Sequence, residues 1–169
     1  VSELILDPGY WKHRLEHAQK GDLHHAVFRC PLDRWQRIEE KHRKILAEVL
    51  GPNSSVLDCG CGWGRLLKLM PGFWVGRYLG VDLSPDFIDL ARQNRLSRDF
   101  LVCDLRNLSE LVTDCGFSDF DWAICVSLRP MVKRNLGDDV WQQMEKEIRH
   151  VAKKLLFLEY DELDEGSVE

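Results

Sequence analysis

The sequence predicts an α/β fold: a three-layer αβα sandwich with a mostly parallel sheet of about five strands and an N-terminal helical cap. Three observations predict it. From Ser55 onward, apolar runs near 55–59, 78–82, 99–103, 121–126 and 155–160 alternate with helix-patterned segments near 64–70, 85–95 and 138–154, the pattern of β-α-β units. A glycine-rich run follows the first of those strands. The first fifty residues lack strand patterning and read as helices.

In the cap, Pro8 opens a helix that carries Trp11, Leu15 and Ala18 on one face, and Gly21 stops it. A second helix opens at Pro31, carries Leu32, Trp35, Ile38 and Leu46, and ends at Gly51-Pro52. Residues 22–29 between them have no readable pattern. The last helix is the best defined: Trp141, Met144, Ile148 and Val151 recur at steps of three and four, and Lys153-Lys154 would complement its C-terminal dipole. The expected organisation is a cap over residues 1–52, a core over 53–160 and an acidic tail over 161–169, all within one domain of 169 residues. Only Asp161 to Glu169 follow the fifth strand, so that strand is expected to be a sheet edge. The acids beyond it discourage edge-to-edge pairing, and a homodimer is the other way to cover it.

The net charge of −5 comes largely from six acids in the last eleven residues; residues 1–158 hold 23 basic and 22 acidic groups. A near-neutral body neither advertises nor excludes nucleic acid as a partner. No apolar run is long enough to cross a bilayer, and the first residues do not resemble a secretory signal, so a cytoplasmic setting without membrane contact is expected. The six cysteines have no C-x-x-C spacing and several fall on or beside strands, which favours packing over a metal site or a disulfide.

The run Val56-Leu57-Asp58-Cys59-Gly60-Cys61-Gly62-Trp63-Gly64-Arg65 carries the chemistry. A strand delivers the chain to a tight turn where glycines permit φ angles and close ligand approach that a Cβ would block. A helix after such a turn points free N–H groups at the ligand. Dinucleotide loops space their glycines G-x-G-x-x-G, whereas Gly60, Gly62 and Gly64 give G-x-G-x-G with Asp58 two residues ahead. Two further segments end apolar strands in an acid: Tyr78-Leu79-Gly80-Val81-Asp82, with Asp82 lying 22 residues after Gly60, and Phe100-Leu101-Val102-Cys103-Asp104.

In this order the three segments resemble the class I, Rossmann-like S-adenosylmethionine (SAM)-dependent methyltransferases, over residues 54 to 160. The resemblance implies SAM as cofactor and S-adenosylhomocysteine (SAH) as product. It gives Gly60, Cys61, Gly62 and Gly64 as the cradle and Asp58 as organiser of the loop and of the cofactor's methionine end. Arg65 either reaches the methionine carboxylate or points to solvent. Asp82 holds the ribose hydroxyls, although Ser84-Pro85 just after it also makes an ordinary helix entry. Cys103 and Asp104 lie near the adenine amino group, with Leu83, Phe87 and Leu105 flanking the ring. Tyr10, Trp11 and Arg14 cluster on the leading helix, which in this family often closes over the cofactor; Trp11 as a core anchor fits as well.

The segment after the fourth strand lies at the carboxyl edge of the sheet, where open α/β folds bind ligands. Ser127, Arg129 and Met131 are therefore expected to shape the acceptor pocket, with Ser127 also touching the cofactor. His24 and His25 would cover the site as bases or ligands, or be surface histidines. Ser127-Leu128-Arg129-Pro130 does not match the Asp/Asn-Pro-Pro-aromatic signature of adenine or glutamine methylation. The one Cys/Pro pair, Cys30-Pro31, is in the reverse order for cytosine C5 methylation. No catalytic dyad is visible, as suits a reaction in which alignment is the main task. The expected activity is methyl transfer to a small molecule. The alternatives are an RNA or protein acceptor, or a non-catalytic SAM-binding module; an NAD-dependent oxidoreductase fails on the glycine spacing.

Overall fold

The computed structural model describes residues 5–18, 23–26, 28, 30–94 and 98–159. Five strands, β1 (Val56–Cys59), β2 (Tyr78–Asp82), β3 (Asp99–Val102), β4 (Phe120–Val126) and β5 (Ala152–Leu158), form one sheet in the order β3-β2-β1-β4-β5. Every pairing is parallel. All four residues of the central strand β1 are buried, which is why it reads as an unbroken apolar run interrupted only by Asp58. The chain winds outward from β1 to β3, then returns past β1 to β4, so the order reverses between β1 and β4. In open α/β sheets the crevice at that reversal, beyond the carboxyl ends of the strands, is where ligands bind.

Alternation along the strands sends side chains to two layers. Leu57, Cys59, Leu79, Val81, Ala123 and Cys125 pack with α4 (Leu108–Asp114), α5 (Leu128–Leu136) and α6 (Asp138–Val151), through Val112, Val132, Trp141 and Ile148 among others. Val56, Tyr78, Phe100, Ile124 and Leu158 pack with α2 (Leu32–Val49), α3 (Pro85–Gln93) and a single 3-10 turn, Leu66–Leu69. A third, smaller cluster holds α1 (Pro8–Ala18) and a 3-10 turn, Leu23–Ala26, against Trp63 and Phe87. The three-layer sandwich and the helical N-terminal region expected from the sequence are both present.

Several boundaries differ from the pattern. α6 stops at Val151 and β5 starts at Ala152, because β5 pairs with β4 in the register Phe120↔Ala152 and Trp122↔Lys154. Lys153 and Lys154 therefore serve the sheet and not the helix dipole: Lys153 Nζ lies 3.0 Å from Asp121 Oδ1, and Lys154 Nζ sits 5.0 Å from the Trp122 ring centre. Arg149 and His150 occupy the last helical turn instead. The segment 64–70 is a turn with one 3-10 turn rather than a helix. α4 and α5 were not readable, being only seven and nine residues long. Leu32 is 51% exposed, and the buried stripe of α2 runs Trp35, Ile38, His42 and Leu46. Residues 161–169, expected to be an acidic tail, lie outside the described residues.

All six cysteines are free thiols and five are buried. Cys59 and Cys125 face each other in the β1/β4 register, and their mutual hydrogen bonding and burial push the Cys59 thiol well above its ordinary range. Such thiols pack as small apolar groups.

Gly80 is closely packed within the sheet. In register it lies between Asp58 of β1 and Phe100 of β3, and a Cβ there would stand 2.7 Å from the Phe100 ring and 3.0 Å from Cys61 Sγ. Gly80→Ala is expected to overpack this point and lower unfolding stability by about 1–3 kcal/mol, read from urea unfolding curves. An unchanged midpoint would mean that the Phe100 ring gives way freely.

Candidate cofactor site

Across the carboxyl edge of the sheet, β3, β2, β1 and β4 deliver Asp104, Asp82, Gly60 and Ser127 in that spatial order. All four line one crevice, part of it open to solvent.

The glycine crook forms its floor. Gly60, Gly62 and Gly64 have φ of 75°, 53° and 77°, the left-handed region that a side chain resists. Gly60 and Cys61 both donate backbone N–H groups to Val81 O, at 2.8 and 3.0 Å, which seats the turn on the end of β2. The Gly62 amide donates to Asp82 Oδ2 at 2.8 Å, while Asp82 Oδ1 accepts from the Ser84 amide at 2.9 Å. Asp82 thus holds the crook and its own helix entry at once. Burial raises its pKa, against the opposing effect of these amide bonds.

Leu83, Phe87 and Leu105 line the same crevice, as do Cys103 and Asp104. Arg106 grips Asp104 through Nε and Nη2, and this holds the carboxyl below its ordinary range. Burial lifts the Cys103 thiol to about 12, with the nearby Asp104 carboxylate adding to the rise, so it stays protonated at neutral pH. On the other side of the crook, Ser127, Leu128, Met131 and Val132 enter from the start of α5, and Met144 from α6. Ile5, Leu6 and Trp11 form a third wall, and Trp11 is fixed there by its Nε1–H bond to Ile5 O at 2.9 Å.

The sequence reading therefore converges on the crevice for Trp11, Gly60, Gly62, Asp82, Leu83, Phe87, Cys103, Asp104, Leu105, Ser127 and Met131. The remaining residues point elsewhere. Asp58 lies on the sheet face toward α2 and α3, 1% exposed, accepting a 2.6 Å hydrogen bond from the Tyr78 hydroxyl. Cys61 Sγ is buried beside Gly80, and Gly64 closes the turn through its amide to Cys61 O. Arg65 turns under α2: its guanidinium lies 4.8 Å from the Trp35 ring centre, 3.4 Å from His42 Nδ1 and 3.7 Å from Glu39 Oε1. Arg14 is committed to Ala26 O at 2.6 Å and the Tyr10 hydroxyl at 3.0 Å. His24 and His25 both contact Cys30 O, and His24 stacks on Trp35. Arg129 is drawn to Glu159 and lies over Phe157.

Trp63 had no assigned role from sequence. It sits inside the crook, yet its side chain is buried with Leu15, Ala18, Ala26 and Phe87, so it fastens the loop to α1. A large aromatic between two cradle glycines was the available signal. Ile5, Leu6, Val132 and Met144 gave none, because wall residues at a crevice look like any core position.

Comparison with known proteins agrees with this geometry. Residues 56–154 match the family described as "Methyltransferase domain". The chain belongs to this methyltransferase-domain family and is a class I, Rossmann-like member of the SAM-dependent methyltransferases. Among solved structures, it is 28% identical to the PH0226 protein of Pyrococcus horikoshii OT3, with a TM-score of 0.54, over 72% of this chain and 54% of that one. It shares its fold with a TehB-like SAM-dependent methyltransferase of Corynebacterium glutamicum: 23% identity, TM-score 0.52, covering 83% and 67% of the two chains. The same holds for the magnesium protoporphyrin IX methyltransferase of Synechocystis, crystallised with SAM: 18% identity, TM-score 0.52, covering 78% and 74%. Among curated relatives, the uncharacterized protein RP028 of Rickettsia prowazekii is 26% identical over 65% of this chain and 44% of its own. The ribosomal protein L11 methyltransferase of Burkholderia thailandensis is 32% identical over 45% of this chain and 24% of its own. The chain thus spans under half the length of these two curated relatives.

Burial raises Asp58 to a pKa of about 7, the Tyr78 hydrogen bond and Arg65 only partly offsetting it, while the Asp82 charge adds to the rise. Between about pH 4 and 7 the folded chain keeps this proton and the unfolded chain has lost it, so stability falls as pH rises through that window. Asp82, raised in the same direction, adds to the slope. Asp58→Asn can still accept from Tyr78 and does not titrate. Relative to the parent chain, its melting temperature is expected to gain from pH 5 to about pH 7 in thermal scans and to level off above that. A constant offset between the two would reject an ionising Asp58.

Proposed function

We propose that the chain transfers the methyl group of SAM to a small-molecule acceptor bound at the β4 side of the crevice. One observation carries this reading: the glycine crook, Asp82 and Asp104, from three successive strand ends, line a single crevice. The residues fit the cofactor. The positive-φ glycines leave the floor bare, and a Cβ on Gly62 would meet nothing within 4 Å. Asp82 retains lone pairs beyond the two amides it accepts, which suits vicinal ribose hydroxyls. Leu83, Phe87 and Leu105 offer apolar surface to an adenine ring, with Asp104 beside its amino group. The methyltransferase neighbours crystallised with SAM or SAH support the same cofactor.

When bound, SAM supplies an electrophilic methyl on a sulfonium. The chain's part is to position and to exclude water. Alignment of this kind supplies on the order of 7–11 kcal/mol in well-oriented cases. The crook and Asp82 fix one end, and Trp11, Ile5 and Leu6 close the crevice from the cap. Arg14 reinforces that wall by tying α1 to the 3-10 turn Leu23–Ala26. Residues 1–52 therefore act as the lid and 53–160 as the cofactor-binding core. A small acceptor is supported by the mainly apolar walls around Leu6, Leu128 and Met131, and by neighbours whose names give a porphyrin and a plantazolicin methyltransferase.

Titration calorimetry should show SAM and SAH binding and no binding of NAD. Labelled methyl transfer from SAM into fractionated extract should then mark the small-molecule pool; label in RNA or protein instead would overturn the acceptor class. Asp82→Asn removes the charge while leaving a carbonyl for the Gly62 amide, and is expected to weaken SAH binding by about 1–3 kcal/mol. Unchanged affinity would refute its ribose role.

A further inference from the structure

Helix α1 carries two histidines that lie outside the crevice. His13 and His17 are four residues apart, so they sit one above the other on the same side of the helix. That side is the outer one: both histidines and Glu16 are exposed, while Leu15 and Ala18 are buried with Trp63 and Phe87. Other histidines of the N-terminal helices are committed elsewhere. His24 and His25 contact Cys30 O, and His42 lies buried beside Arg65. His13 and His17 instead meet each other, with ring centres 4.3 Å apart and planes inclined at 53°.

This spacing is that of two ligands on one ion. An imidazole nitrogen binds a divalent transition ion at about 2.0–2.1 Å, which puts the ion about 3.2 Å from the ring centre. Two imidazoles at a right angle around the ion then have centres about 4.5 Å apart, and two at the tetrahedral angle about 5.2 Å. The observed 4.3 Å matches the right angle. Right-angled ligation by nitrogen and oxygen is the tetragonal geometry of copper(II) and nickel(II), whereas zinc prefers a tetrahedron. Among the described residues no third His, Cys, Asp or Glu completes a group, so water supplies the other positions, as the exposed face allows. The local charge favours a cation. His17 stands in the last turn of α1, at the negative end of the helix dipole, and Glu16 adds an acid within one turn of both rings.

We propose that His13 and His17 form a two-histidine site on the outer face of α1 for a divalent late-transition-metal ion, with copper(II) and nickel(II) fitting the ring spacing. The site is independent of the SAM reading. An ion held by both rings ties successive turns of α1 together, and it binds only where those turns are formed, so it stabilises the folded helix. The same helix carries Trp11 in the crevice wall, on the face away from the ion.

Nickel(II) is the probe, since it does not oxidise the exposed Cys115 thiol as copper(II) would. Near neutral pH, calorimetry should show one nickel ion bound by the parent chain. His13→Gln and His17→Gln are each expected to weaken that binding by at least about tenfold, while His150→Gln, an exposed histidine of α6, leaves it within about twofold. Excess nickel should raise the melting temperature of the parent and much less that of the two α1 variants. Absence of nickel binding in the parent, or equal binding in either α1 variant, would overturn the site. Binding with no shift in melting temperature would overturn the bridge between helical turns, and tighter binding of zinc than of nickel would overturn the right-angled geometry.

Discussion

The 2.8 Å hydrogen bond from the Gly62 amide to Asp82 Oδ2 joins the first strand-end loop to the second, and most of the site's geometry follows from it. A chain leaving β1 with three positive-φ glycines has many ways to run. An amide bonded to a carboxylate, a class of interaction contributing about 1.5–3 kcal/mol, selects the one in which the loop folds back over β2. Two amides donating to Val81 O set the start of that path. The carboxylate that faces the ligand space is therefore also the one that shapes the floor beneath it. Changes to this carboxylate therefore alter the crevice lining and the loop order together.

The crook also carries the cap. Trp63 reaches up into the α1 cluster, and Arg65 two residues later reaches under α2, against Trp35, Glu39 and His42. Two large side chains flanking Gly64 thus clamp the loop between two cap helices. Phe87 of α3 adds a common wall, with ring centres 6.0 Å from Trp63 and 6.2 Å from Trp11. The N-terminal helices rest on the same loop that floors the crevice, so ordering that loop also orders their packing. Arg65 is better understood as a buried fastener than as a ligand for an anion in the crevice.

The strands and the crook were legible because their signals are local. Apolar runs, glycine spacing and an acid at each strand end depend only on residues close in sequence, and β1 to β4 lie within a residue or so of the expected positions. β5 was displaced because its start is set by pairing with β4, a contact thirty residues away that overrides the helical character of Lys153 and Lys154. The direction of polar side chains was the least legible property. Asp58 and Arg65 are neighbours of the glycines in sequence, but strand alternation and the turn send them to the far face. His24, His25 and Arg14 are consumed by carbonyls of the irregular segment that no periodicity describes. Ser127 was placed by its position after β4, yet its left-handed backbone, with φ 52°, has no signature in the sequence.

The electrostatics of the crook favour one sign of ligand. Burial raises the proton affinity of Asp58, beneath the crook, and of Asp82, at its tip; the Asp82 charge adds to the rise at Asp58, and Arg65 lies on the α2 side beside Glu39. Among the described residues no Lys, Arg or His side chain lines the crevice. An anion there would meet the Asp82 and Asp104 carboxyls and no counter-charge in the lining, whereas a cation over the crook would stabilise the ionised form of Asp82, the form that binds the Gly62 amide best. A sulfonium has the sign this arrangement rewards. As a neutral thioether after transfer, the same sulfur would be held by a weaker attraction. The Asp82 carboxylate, on which the loop's own fold depends, thus favours a cation over the crook more than a neutral group in the same place.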